Sequence, residues 1–202
     1  MSSQIIEVIE NEKIYVVNIL RQYIGSMNQT NVSVTYSANG FIHRADDLPA
    51  IIQFRVSGDY SNKKLETYND VFLWDRLSSE ETWIKKGLIC RDNDKPAITL
   101  KDKDDSIEKW GFGTRTGNFQ YHRIYGPACI IIQEGAIRKT WYFKGKVLPK
   151  NIPIMDGGKF VKDCTMLDII NTTMNFSREY GLLMWEEYVK LNPGVPKLQN
   201  IG

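Results

Sequence analysis

Cysteine and histidine are scarce in this chain: Cys90, Cys129 and Cys164 are the three thiols, and His43 and His122 the two imidazoles. No C-x-x-C pair occurs. Three dispersed cysteines make neither a disulfide framework nor a zinc site, so each is read as a small apolar side chain in a reducing compartment. Long apolar runs are missing too. No stretch approaches the roughly eighteen uncharged residues that a membrane span needs. Met1-Ser2-Ser3-Gln4 lacks a charged n-region and an apolar h-region, so no secretory leader is expected. The sequons at Asn28, Asn31, Asn171 and Asn175 are then expected to stay bare, and a cytoplasmic location follows. Charge of one sign is also absent: 26 basic and 24 acidic residues are spread along the chain. Without a basic block to neutralise phosphates, nucleic acid is not an expected partner.

What remains is ordinary globular composition, 42% hydrophobic and 25% charged over 202 residues, enough to bury a core without staples. Three zones follow one another. Residues 1–31 hold Ile5-Ile6-Glu7-Val8-Ile9, a polar break, and Ile14-Tyr15-Val16-Val17-Asn18-Ile19-Leu20. Their β-branched richness suits a hairpin, while the spacing of Val16, Leu20, Tyr23 and Ile24 suits a helix face, and both readings stand. Residues 32–156 are short β-prone runs separated by turn chemistry, beginning with Val32-Ser33-Val34-Thr35-Tyr36 and Asn39-Gly40. Residues 157–202 read as helix and tail. Thr165 and Asp168 form a capping box ahead of Met166, Ile169, Ile170 and Met174. Ser177 caps a second helix with Leu182, Trp185 and Val189 inward. Gly157-Gly158 is expected to join sheet and helices.

The middle zone repeats itself. Gly40-x-x-His43-Arg44 precedes Pro49-Ala50; Gly87-x-x-Cys90-Arg91 precedes Pro96-Ala97; His122-Arg123 precedes Pro127-Ala128; Gly145-x-x-Leu148 precedes Pro153. Tyr36, Trp83 and Trp141 each stand four residues before the glycine. The 47 residues from Gly40 to Gly87 leave room for a decayed unit near residues 60–80, with Trp74 as its aromatic. The glycine supplies positive φ at a two-residue turn, the aromatic anchors the first strand, and the proline opens the next one. Alanine leaves room for a neighbouring ring. The arginines can pair with nearby acids, Arg44 with Asp46 and Asp47 and Arg91 with Asp92 and Asp94, or bond loop carbonyls. A single unit buries too little to fold alone, so several should stack in one sheet. The expected fold is mainly β (α+β), an antiparallel β-hairpin repeat sheet with a small C-terminal helical element.

These G-x-x-H-R…P-A blocks, over residues 36–156, resemble the MORN-like repeats of the antitoxin-type form abundant in large DNA viruses of amoebae. The resemblance implies a hairpin array that serves as an interaction or assembly surface, in a viral particle, its scaffolding or the host cytoplasm. The glycines of the better-known MORN pattern are mostly missing, so lipid binding is not carried over. Two alternative functions stand beside it: an antitoxin-like or regulatory module that binds one protein, and a hydrolase in divergent sequence.

Chemistry-bearing residues have bland readings in this setting. His43 and His122 share one repeat slot with Cys90 and Leu148, which makes the slot structural. Gly111-Phe112-Gly113-Thr114-Arg115-Thr116-Gly117 has no Gly-Lys-Ser/Thr and reads as a flexible loop. Asp102, Asp104, Asp105 and Glu108 lack the spacing of a calcium loop. Trp74, Trp83, Trp110, Trp141 and Tyr142 read as sheet packing, and Glu186-Glu187 as a solvated face. No catalytic residue, metal or cofactor is assigned; the expected partners are proteins, and the chain is read as non-enzymatic.

Overall fold

The computed structural model describes residues 1–114 and 118–195. The chain is mainly β, built from antiparallel hairpins with a small C-terminal helical region. Three long strands open it: β1 (Ser2–Glu10), β2 (Lys13–Ile24) and β3 (Gln29–Ala38). The first zone is therefore a hairpin, with Asn11 and Glu12 in the left-handed region at its turn. Short and medium strands then alternate: β4 (Phe41–Ile42), β5 (Ile51–Ser57), β6 (Arg76–Thr82), β7 (Ile84–Lys85), β8 (Leu88–Ile89), β9 (Ile98–Asp102) and β10 (Asp105–Lys109). β11 (Gly111–Thr114), β12 (Gln120–Tyr121), β13 (Cys129–Gln133), β14 (Ala136–Thr140), β15 (Tyr142–Phe143), β16 (Lys146–Val147), β17 (Met155–Asp156) and β18 (Lys159–Phe160) follow. Two helices end the described chain, α1 (Met166–Phe176) and α2 (Arg178–Leu191).

The longer strands form one antiparallel sheet in the order β1-β2-β3-β5-β6-β9-β10-β13-β14, with β4 hung on β3. The short hairpins form a second tier. β7, β8, β11 and β12 make a four-stranded sheet, and β15-β16 and β17-β18 are separate pairs. Backbone bonds from turn glycines tie this tier together: Gly87 N–H donates to Ile42 O (3.0 Å) and Gly145 N–H to Tyr121 O (2.9 Å).

Period-two alternation decides which face of the long sheet is dry. Tyr15, Val17 and Ile19 of β2, Val32, Val34 and Tyr36 of β3, and Ile52, Phe54 and Val56 of β5 share one buried face. The β5–β6 connection covers it with Leu65, Val71 and Trp74. The gap between Gly40 and Gly87 thus holds no decayed hairpin. It holds a cover, with a 3-10 turn over Tyr68–Leu73 closed by a Thr67–Asp70 capping box. An apolar sheet face has to be shielded, and this excursion is the segment that does it.

At the other end α2 places Tyr180 and Met184 against Phe143, Leu148, Ile152 and Met155. Both helix caps occur as expected: Thr165 with Asp168, and Ser177 accepting from Tyr180 N–H. Three details differ. Leu182 is exposed, because Tyr180, Met184 and Trp185 occupy the inward stripe. Glu187 is buried and accepts from the Tyr125 hydroxyl (2.9 Å) and Lys190 (2.6 Å), so it is no solvated face. Gly157-Gly158 is the turn of the β17–β18 hairpin, so hairpins run past residue 156 and the link to the helices comes after Phe160.

Gly111–Thr114 is strand and not loop, while Arg115-Thr116-Gly117 lies outside the described residues. A Cβ on Gly113 would sit 2.2 Å from Asn118 O and 2.6 Å from Phe119 Cα; one on Gly111 would sit 2.1 Å from Gln120 O. These glycines permit close backbone approach. Gly113→Ala should therefore cost about 1–3 kcal/mol by overpacking. Gly40→Ala meets no atom within 4 Å and strains only a φ of +78°, costing about 1 kcal/mol. Urea unfolding of the two variants compares them directly.

Candidate interaction surface

The repeat residues assemble into a clamp used three times. In each, an arginine lies flat on the unit's aromatic ring: Arg44 over Tyr36 (3.8 Å), Arg91 over Trp83 (3.7 Å) and Arg123 over Trp110 (4.0 Å). The same guanidinium donates to the carbonyl of the unit's proline, Pro49, Pro96 or Pro127. Its other edge grips a carboxylate: Glu10 takes Arg44 at 2.9 and 2.9 Å, Asp47 takes Arg91 at 2.7 and 3.0 Å, and Asp94 takes Arg123 at 2.9 and 2.7 Å. The acid always belongs to the preceding segment. Arg91 does not pair with Asp92 or Asp94, nor Arg44 with Asp46 or Asp47; a turn acid reaches forward to the next unit's arginine. Asp46 instead accepts from Lys13 and Asn11.

Asp47 and Asp94 do several jobs at once. Each adopts a left-handed φ (56° and 51°), which aspartate tolerates well. Each backbone carbonyl accepts from the next indole, Trp83 Nε1 or Trp110 Nε1, at 2.9 Å. Trp141 also donates its indole N–H, but forward to Met155 O (2.7 Å), and it carries no arginine, since Pro149 stands in that position. The third turn correspondingly offers Gly126 and no acid. Arginine and acid are lost together, which makes the clamp a link between units. Hydrogen bonds from Arg91 and then Lys95 hold the Asp47 carboxyl well below the usual carboxylate range. A lowered folded-state value stabilises fully above the unfolded value near pH 4 and is lost as pH falls below it. Asp47→Asn should thus flatten the stability profile below about pH 4 and cost about 1 kcal/mol at neutral pH, given the partly exposed pair. Thermal melts across pH 2–7 read this out.

The shared slot of His43, Cys90, His122 and Leu148 is the same backbone position in four units. Their N–H groups donate to the O of Tyr36, Trp83, Trp110 and Trp141 at 3.1, 3.1, 3.0 and 2.9 Å. The slot thus serves the repeat's backbone, whatever side chain it bears. The two histidines sit in different units. His122 packs against Phe112 and Phe143, and burial and then the Lys144 charge push its imidazole below the ordinary value. Burial pushes the Cys129 thiol up. Among the described residues no group of three metal-ligating side chains converges. Ala50, Ala97 and Ala128 are fully buried beside the clamps; Gly40, Gly87 and Gly145 hold turn positions, and Pro49, Pro96, Pro127 and Pro153 each stand two residues before the next strand and do not open it.

The opposite face of the long sheet, which no described segment covers, carries a trough of about 630 Å³. It runs across the strands from β2 to β13, over the backbone of the register row of Val32, Phe54, Ser79, Lys101, Ser106 and Ile132. Two ladders of side chains flank that row. One is Leu20, Ser33, Gln53, Glu80, Leu100, Ile107 and Ile131; the other is Gln22, Asn31, Arg55, Ser78, Asp102, Asp105 and Gln133. The first ends in three aliphatic side chains, and the second is polar throughout. Arg55 donates to Ser78 Oγ (2.7 Å) and pairs with Asp102 (2.8 Å). Asp102 and Asp105 therefore serve the trough wall, and Asp105 also accepts from Glu134 N–H (2.9 Å).

Sequence reasoning missed Glu10 and assigned Asp47 and Asp94 to the arginine of their own turn, although an acid recurring three residues after Arg44 and Arg91 marked both as repeat positions. It also left Trp110 outside the repeat. The aromatic stands eight residues before Arg44 and Arg91 but thirteen before Arg123, because the β11–β12 hairpin is longer. No family profile, curated protein or solved structure matches the chain.

Proposed function

We propose that this chain is a non-enzymatic interaction protein whose hairpin-repeat sheet is an assembly surface, with the trough receiving a segment of a protein partner. The observation that supports it is the pairing of an aliphatic ladder with a polar one along a single cross-strand channel. Such a channel suits a polypeptide that offers apolar side chains to Leu100, Ile107 and Ile131 and hydrogen-bonding groups to the opposite wall. The serine in it, Ser78, already accepts from Arg55. The clamps give the repeat a rigid register, which pre-organises that surface. No helix among the described residues is long and apolar enough to cross a membrane. The repeat resemblance extends the reading to a scaffolding or particle component.

A photo-crosslinking residue at Ile107 should yield a defined stoichiometric adduct in the native source, and one at the exposed Leu73 should not. Ile107→Asp should abolish partner association while leaving the fold intact. Equal crosslinking at both positions, or binding indifferent to the change, would discard the trough.

A further inference from the structure

We propose that β1 is a self-pairing edge, joining two copies of this chain through an antiparallel β1–β1 ladder about a two-fold axis normal to the sheet. The inference rests on reading the sheet as an assembly surface and names one partner, a second copy. Among the described residues β1 pairs only with β2, in an uninterrupted register over all nine residues, so its other edge presents a row of backbone donors and acceptors. Bare edges are commonly guarded by lysine, proline or a bulge. β1 has no lysine, proline or bulge, and its charged residues are Glu7 and Glu10. The opposite edge, β14, is shorter and carries Arg138 and Lys139.

The side chains are self-complementary. Full-length pairing sets Ile6 opposite its own copy, Ile5 opposite Glu7, and Ser2 opposite Glu10. No acid faces an acid directly, and Glu10 is already held by Arg44 and the Tyr68 hydroxyl. The uncovered face of this hairpin bears Ile5 (71% exposed), Ile9 (70%), Ile14 (58%) and Val16 (46%). The two-fold axis joins the two sets into one apolar stripe, and the two troughs then open on the same side. Such an interface is isologous and closes at two copies.

Sedimentation velocity over a concentration series tests this with the full chain. Wild type should shift from monomer to dimer. Ile5→Glu, which puts two carboxylate pairs directly opposite, should raise the dissociation constant about tenfold or more. Ile5→Lys sets an ammonium opposite Glu7 of the second copy and should keep the dimer within roughly threefold. Ile5 is exposed, so both variants should fold, as circular dichroism will show. A wild type that stays monomeric, assembles beyond two copies, or ignores Ile5→Glu overturns the edge pairing. A monomer that still crosslinks its partner through Ile107 overturns this inference alone. A dimer without that adduct leaves the edge standing and removes the trough.

Discussion

Trp83→Ala is expected to lower stability by about 3–5 kcal/mol, the cost of emptying a large buried aromatic site, which is enough to unfold much of a marginally stable domain. The ring is buried, its indole holds the Asp47 carbonyl, and Arg91 lies on its face. Removing it opens a cavity, orphans that carbonyl and strips the guanidinium of its platform. Trp83→Phe keeps a ring under Arg91 and loses the N–H, so about 1–2 kcal/mol is expected. Chemical denaturation separates the two. Equal losses in both variants would mean that the indole bond, not the ring, carries the unit.

The second large effect is Glu10→Ala, expected at about 2–4 kcal/mol. Side chains of Glu10 and Arg44 are only 16% and 12% exposed, so the guanidinium left behind is mostly desolvated. The Tyr68 hydroxyl, which donates to the same carboxylate (2.7 Å), loses its acceptor too. Removing both charges with Glu10→Ala/Arg44→Met should recover part of the loss, and a double-mutant cycle gives the coupling. A cycle with no coupling would show that the first clamp contributes nothing between the N-terminal hairpin and the repeat.

The two variants probe different strata of what could be read in advance. Trp83 was legible as a strand anchor from its place before Gly87. Glu10 was not, because it lies outside the repeating blocks and meets Arg44 only after β1 and β3 are set on either side of β2. The same holds for the cover over the sheet. Tyr60, Leu65, Val71, Phe72 and Trp74 have no period-two pattern or hairpin turn, so local rules could only suggest a worn repeat. The trough is less visible still. Its walls draw two side chains from each of seven strands, and no short window contains both Leu20 and Ile131.

Sequence alone determined the β-hairpin class, the turn positions at Asn39-Gly40 and Lys86-Gly87, and both helix caps, because these depend on neighbours within a few residues. The recurrence of arginine, proline and alanine was likewise local. Tertiary structure alone decided which acid each arginine grips, which sheet face is covered, and where the open channel runs. Those outcomes depend on strand order and register across the whole sheet, which bring together groups tens of residues apart. Propensity acts along the chain; pairing and burial act across it.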